Sequence, residues 1–337
     1  MSLYSYFRIS KPSAEKVPQE KVGTVYKSLR NRTFWGVTIA YSLYYVCRMS
    51  INVVKQPLID EGILSAGQLG LIGSALLFVY AIGKFMNGFI ADYCNIRRFM
   101  ATGLFISALM NLLMGALGLF SSMIPMIVIF VSFAVLWGIN GWMQSMGSGP
   151  GVISLSRWFS RSKRGTYYSI FSSSPYIGEF ISYNILAVVV AWLGWQAGFI
   201  VAALAGLAGA AIILLFVSDT PESKGLAPVE VLAGEKTQEE YDREVSERSA
   251  CVSDNSAETS RIQRAVLRNT GVWILALSSA FMYMSRYAIN EWGMFFLQKT
   301  KGFELLEASS IIAINTIAGI IGTVCAGWIS DTLFKGD

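Results

Sequence analysis

The sequence predicts an all-α polytopic membrane protein of about eight spans, and three observations predict it. Of its 337 residues 53% are hydrophobic and 15% charged, with a mean hydropathy of +0.49. That is far too apolar for a soluble domain of this length. Apolar stretches of about 20 residues recur with almost no charge inside them, the length a helix needs to cross a bilayer. Finally, two short motifs recur in the same order roughly 240 residues apart, so the chain carries an internal repeat. Helices are the expected spanning element, because each satisfies its own backbone hydrogen bonds in lipid. A barrel would show alternating segments of about ten residues instead.

Taken in order, the spans fall at 34–54, 68–91, 99–120, 124–147, 166–193, 195–217, 271–290 and 307–330. The first 33 residues are polar and lack an apolar core near the start, which predicts no cleaved signal peptide. They hold seven Lys and Arg, the loop after the first span one, the next two, the next none, and 157–164 four. Alternate loops are therefore basic, which predicts a cytoplasmic N-terminus in a cell inner membrane. The 31 glycines suit close helix packing. Segment 218–270 is rich in Glu, Ser, Lys and Asp without apolar periodicity, and reads as a cytoplasmic linker carrying a short helix near Glu239–Arg248. The expected organisation is a six-helix bundle over 1–217, the linker 218–270, and the start of a second bundle over 271–337.

The repeat sharpens this reading. Tyr45-Val-Cys-Arg48 matches Tyr283-Met-Ser-Arg286, and Gly88-Phe-Ile-Ala-Asp92 matches Gly327-Trp-Ile-Ser-Asp331. Six spans separate the copies, so both enter the membrane in the same sense, as in parallel two-half carriers. Relative to its own repeat the chain looks truncated by four helices.

Composition also excludes chemistry. With no histidine anywhere, His-based metal sites, triads and proton relays are absent. Cys47, Cys94, Cys251 and Cys325 show no metal-ligand spacing and read as reduced and structural. The net charge of +5 comes from membrane-flanking loops rather than one patch, so no nucleic-acid partner is expected; the lipid bilayer is.

Charge inside the spans carries the functional signal. Arg48 lies in the first span, Lys84 in the second and Arg286 in the seventh. An intramembrane cation costs a few kcal/mol or more, so it normally faces a protein interior or watery cavity. Tyr41, Tyr45 and Arg48 at i, i+4, i+7 share a helix face, as do Tyr283, Arg286 and Asn290. Both arginines sit about 6 Å outward of their helix centres and Lys84 a similar distance inward. Side chains lean toward their helix N-terminus, so all three cations aim at the midplane. Two Arg, a Lys and several tyrosine hydroxyls suit a phosphate-bearing anion. The plain alternatives are a structural pair with Glu179 or with backbone carbonyls for the arginines, snorkelling for Lys84, and packing for the tyrosines. Glu179, an acid deep in the fifth span, is expected to neutralise a cation, shift substrate preference or take part in proton coupling. Asp92 with Arg97 and Arg98, and Asp331 in the second copy, suggest an ion-pair latch at helix ends; the alternative is ordinary positive-inside anchoring. No cofactor is expected, and no covalent chemistry.

At these residues the chain resembles the organophosphate:phosphate antiporter family of the major facilitator superfamily, whose members include glycerol-3-phosphate and hexose-phosphate transporters and a hexose-phosphate sensor. The resemblance is carried by Tyr41-Ser-Leu-Tyr-Tyr-Val-Cys-Arg48, Gly83-Lys-Phe-Met-Asn-Gly88, Gln144-Ser-Met-Gly147, Arg157-Trp-Phe159, Lys163-Arg-Gly165, Asp219-Thr-Pro-Glu-Ser-Lys-Gly-Leu226, Arg286-Tyr-Ala-Ile-Asn-Glu-Trp292 and Cys325-Ala-Gly-Trp-Ile-Ser-Asp331. It implies a major facilitator-type bundle in which Arg48 and Arg286 bind phosphate from two halves, supported by Lys84, Tyr41, Tyr45 and Tyr283. It implies exchange of a phosphorylated sugar or glycerol phosphate for inorganic phosphate. The chain departs from the family at Ser148-Gly-Pro-Gly151, where Trp-Pro-Pro is usual, and at Pro175-Tyr-Ile-Gly-Glu179, where His-Asn and a glycine run are usual. The second departure removes a histidine ligand and motivates one alternative, a membrane sensor signalling to a partner kinase; the unfinished second half motivates another, an inactive truncated transporter.

Overall fold

The computed structural model describes residues 3–251 and 268–333. Among them, eight helices are long and apolar enough to cross a membrane. Four come first: α2 (Gln19–Asp60), α3 (Ala66–Asp92), α4 (Ile96–Leu119) and α5 (Met126–Trp158), preceded by the short α1 (Leu3–Phe7). The fifth span is segmented into α6 (Arg161–Ser172), α7 (Ser174–Ile181), a π-helical turn (Ser182–Leu186) and α8 (Ala187–Leu193). After α9 (Trp195–Phe216) come α10 (Val229–Leu232), α11 (Gln238–Cys251), α12 (Thr270–Lys301) and α13 (Leu305–Leu333). The eight spans read from hydropathy are all present as helices.

Local chemistry sets the ends. Ser65 and Gln68 form a reciprocal capping box that starts α3, and Asn95 Oδ1 accepts from Arg98 N at 3.0 Å to start α4. Gly194, at φ +84°, supplies the left-handed residue that turns α8 into α9. In α11, Thr237 and Glu240 cap each other, N–H to side chain in both directions. α11 covers the short helix expected near Glu239.

Contacts divide the described chain into two units, Met1–Leu226 with Met294–Asp337, and Ala227–Gly293. In the first, α2 packs on α7 and α9, α3 on α5, and α4 on α5 and α9. Small residues make these approaches possible. A Cβ on Gly141 would lie 2.5 Å from the Leu76 carbonyl oxygen, and one on Gly206 2.5 Å from Cys47 Sγ. At Gly178 the added atom would overlap the Ser42 carbonyl oxygen, so α7 and α2 meet backbone to backbone. α13 belongs to the first unit and packs on α6, α7, α8 and the π-turn, with Gly319 seated against the Tyr176 ring.

Two apolar clusters fill the first unit. One holds Phe133, Trp137, Trp195 and Phe199; the other holds Phe34, Trp158, Phe159 and Phe171. Along α4 and α5 a buried polar string separates them. Gln144 Nε2 donates to Ser107 Oγ at 2.7 Å, Ser107 Oγ donates to Asn140 Oδ1 at 2.5 Å, and Asn111 Nδ2 donates to the Cys47 carbonyl at 3.0 Å. Ser50 Oγ donates to Asn111 Oδ1 at 2.6 Å, which ties α2 into the string. Asn140 Nδ2 is the one amide nitrogen of this string left buried without a partner, at a cost of about 1–3 kcal/mol.

The loop end of the unit is held by Asp219, which is 3% exposed. Its carboxylate accepts from Arg157 Nη1 at 2.7 Å, from Ile96 N at 2.9 Å and from Ser10 N at 2.9 Å. Arg157 also donates to the carbonyls of Asp92 and Cys94, both at 3.2 Å. One carboxylate thus joins the N-terminal segment, the α3–α4 loop, the end of α5 and the strand of chain leaving α9. Residues 218–226, expected as part of a loose linker, are therefore packed on the first unit. Gly225, at φ +76°, lets the same segment lie against Glu15, where a Cβ would overlap the carbonyl oxygen.

Two stability measurements check this account. Gly178→Ala should destabilise the protein by about 1–3 kcal/mol through overpacking, read as a lower midpoint of thermal unfolding in detergent. Asp219→Asn should cost about 3 kcal/mol, because it leaves the Arg157 guanidinium without its buried counter-charge. An unchanged midpoint in either variant would contradict the corresponding contact.

Candidate anion-binding site

The expected site begins on α2, four-fifths of whose apolar window is buried. Tyr41 and Arg48 are 6% and 2% exposed, and Tyr45 is half-buried. The Arg48 guanidinium carbon stands 4.3 Å from the centroid of the Tyr80 ring and 5.7 Å from that of Tyr45. Lys84 Nζ lies 5.5 Å from the same Tyr80 ring. Tyr80, itself buried, therefore faces both cations and joins α2 to α3 at the site. Its negative π-face offsets part of the cost of holding a guanidinium in an apolar bundle.

The tyrosines are held by packing. Tyr41 stacks on Phe171 with centroids 5.0 Å apart and meets Tyr45 edge-on at 5.5 Å. Two glycines one turn apart on α5 make room for this pair. A Cβ on Gly147 would approach the Tyr41 ring to 2.9 Å, and one on Gly151 would approach Phe171 to 2.5 Å. The unusual Ser148-Gly-Pro-Gly151 segment thus has a steric task. Tyr44, on the neighbouring flank, donates to the Met100 carbonyl at 2.5 Å.

Glu179 is 1% exposed on α7, beside the Gly178 contact with Ser42 and Tyr45 of α2. The fifth span thus meets the helix that carries Arg48 at the residue just before its acid. Directly after it the helix widens into the π-turn, a feature that often accompanies functional sites. Tyr183 in that turn is fully buried, its hydroxyl 3.9 Å from Met49 Sδ.

Tyr283 and Arg286 lie in the second unit. Tyr283 is 46% exposed and stacks on Tyr287 with centroids 6.0 Å apart; Arg286 is half-buried on the same helix, and Asn290, one turn on, is buried. None of α12's apolar window is buried.

The expected latch takes a different form. The Arg97 guanidinium donates to the Leu214 carbonyl, and Arg98 donates to the Tyr6 carbonyl at 2.8 Å while covering the Tyr6 ring. Asp92 contributes its carbonyl oxygen to Arg157 rather than its carboxylate to Arg97 or Arg98. The physical reason is reach: both arginines start α4 and point across to backbone in the last turn of α9 and in α1, and Asp219 has taken Arg157. The Asp331 side chain lies outside the described residues.

Sequence reasoning missed one participant, Tyr80, and one buried cation further along α2, Lys55. Tyr80 was visible as a residue one turn from Lys84, and its position between two cations emerges only when α2 and α3 are packed together. Lys55 is 2% exposed, though it stands just past the expected end of the first span. The signal was its spacing: it follows Arg48 by seven residues and so lies on the same face of a helix that continues to Asp60.

The chain is similar to known proteins along most of its length. Residues 37–336 match the Major Facilitator Superfamily. A probable hexose phosphate transport protein of Chlamydia pneumoniae is 34% identical over 98% of this chain and 71% of its own length. The glycerol-3-phosphate transporter of Bacillus subtilis is 33% identical over 96% of the chain and 70% of its own. In fold, the chain superposes with a TM-score of 0.67 on the crystal structure of a bacterial homologue of the human lysosomal transporter Spinster, inward-facing and unoccupied. That match has 19% identity and covers 92% of this chain and 64% of that one. The chain belongs to the Major Facilitator Superfamily, and its relatives place it in the organophosphate:phosphate antiporter family.

Proposed function

We propose that this protein moves a phosphorylated sugar or glycerol phosphate across the cell inner membrane in exchange for inorganic phosphate, by alternating access. The observation that carries the reading is Arg48: a guanidinium 2% exposed inside an apolar bundle, flanked by Tyr80 and Lys84. Fixed cations in a dry site attract a dianionic phosphate strongly, and a guanidinium forks onto two of its oxygens. The relatives' names as hexose-phosphate and glycerol-3-phosphate transporters support that substrate class.

In this reading Arg48 and the repeat-related Arg286 bind the phosphate. Lys84 adds a point charge, and Tyr41, Tyr45 and Tyr283 supply hydroxyls or ring faces to the rest of the substrate. Glu179 tunes the charge of the site. Alternating access follows if the anion stabilises the conversion between inward and outward states more than the empty site does. The N-terminus is cytoplasmic, with basic loops on that side. The chain's 1–217 and 271–337 segments belong to the two halves of the carrier, joined through 218–270.

Counterflow in reconstituted vesicles tests the proposal. Radiolabelled inorganic phosphate inside should exchange for external hexose phosphate or glycerol 3-phosphate. Arg48→Lys and Arg286→Lys should each abolish exchange while leaving expression intact, because an ammonium cannot make the two-pronged contact. Normal exchange in either variant would reject the assignment. Binding without counterflow, with a membrane kinase co-purifying, would favour the sensor reading instead.

Tyr80 gives an independent check. Tyr80→Phe keeps the ring face and should hold the apparent affinity for phosphate within about threefold. Tyr80→Leu removes the face and should weaken it roughly tenfold, from a cation–π contribution of about 1–2 kcal/mol. Equal affinities in the two variants would show that the ring does not position Arg48.

A further inference from the structure

A basic cavity lies away from the spans, at the loop end of the first unit. It encloses about 140 Å³, against the roughly 10–15 Å³ that a single water needs. Four of its lining side chains are cationic: Lys11 from the N-terminal segment, Arg97 and Arg98 from the start of α4, and Lys224 from the turn after α9. Among the described residues none of the four forms an ion pair. Asp219 also lines the cavity, but its carboxylate is occupied by Arg157, Ser10 N and Ile96 N. Arg97 and Arg98 use one nitrogen each on backbone carbonyls, which carry no net charge. Arg97 Nε is enclosed by protein with no hydrogen-bond partner. Ser10 Oγ accepts from Asn95 Nδ2 at 2.7 Å and keeps its own proton to donate, whereas Ser223, also in the lining, donates its hydroxyl to the Thr220 carbonyl at 2.7 Å.

We propose that this cavity is a second anion site, which takes a phosphate group at the membrane surface independently of the spans. The arrangement supplies what such a ligand needs: uncommitted N–H groups on two guanidinium forks, two lysines that can swing in as point charges, and the Ser10 hydroxyl beside a space larger than a water. The Asp219–Arg157 pair beneath is neutral as a unit and fixes the walls without cancelling the field. One chemistry, a phosphate mono- or diester or inorganic phosphate, could arrive either as the headgroup of an anionic lipid or from solution.

The experiment separates the sources and keeps this site distinct from the one in the spans. The full chain carrying Arg48→Lys, which silences the site in the spans, is placed in phosphatidylcholine nanodiscs. Inorganic phosphate binding is then read by equilibrium dialysis. In parallel, the thermal midpoint is followed as phosphatidylglycerol replaces phosphatidylcholine. Lys11→Ala/Lys224→Ala is added to the same background. Neither lysine makes a side-chain hydrogen bond or ion pair among the described residues, so the midpoint in pure phosphatidylcholine should not move. Expected is a loss of affinity of roughly 30-fold for the probe that binds, from two cations near a phosphate group. Loss of phosphate binding identifies a soluble ligand; loss of the phosphatidylglycerol-dependent shift identifies a lipid headgroup. Binding of both probes unchanged by the double variant, or no binding of either probe in the Arg48→Lys background, would overturn the proposal. Exchange by the otherwise native chain reads the transport proposal separately.

Discussion

A guanidinium that has left water governs the first unit. Arg48 cannot shed its charge, and the bundle around it offers no solvent, so the neighbouring elements are arranged to make its position tolerable. α3 supplies a ring face through Tyr80, α2 supplies another through Tyr45, and α7 packs against the same helix at Gly178. Each arrangement forces a further one. Tyr41 can stand on its face of α2 only because Gly147 leaves room, and Phe171 can stack on it only because Gly151 does. The small residues of α5 are thus downstream of a charge on another helix.

Much of this was legible beforehand. Spans are set by the cost of unsatisfied backbone in lipid, which depends on local composition, so hydropathy located all eight. The intramembrane cations stood out for the same reason. What packing decides was harder to read. Lys55 was assigned to a loop because the apolar window ends before it, although helix α2 does not. Asp219 looked like part of a polar linker, since a single acid followed by Thr-Pro says nothing about which amides it will meet. Arg97 and Arg98 were paired with the acid nearest in sequence, and the fold gave that role to Arg157 and Asp219, 62 residues apart. A readable trace of the buried polar string did exist. Ser107 with Asn111, and Asn140 with Gln144, are i, i+4 pairs on otherwise apolar helices, and such pairs mark one face.

The motifs that suggested the family divide into separate physical tasks. In Gln144-Ser-Met-Gly147, Gln144 bonds to Ser107, Ser145 accepts from Asn87 at 2.6 Å, and Gly147 clears space for Tyr41. The Asp219 segment works at the other extreme, outside the apolar region, as a junction of backbone amides. Residues that travel together in sequence therefore need not touch the same ligand.

The Asp219 junction also bears on mechanics. By holding the start of α4, the end of α5 and the exit of α9 at one point, it closes the loop end of a six-span assembly much as a clasp closes a bracelet. An object fastened in this way resists shear among its own helices and transmits torque. Any shear among these spans would then have to occur at the end that the junction does not fasten.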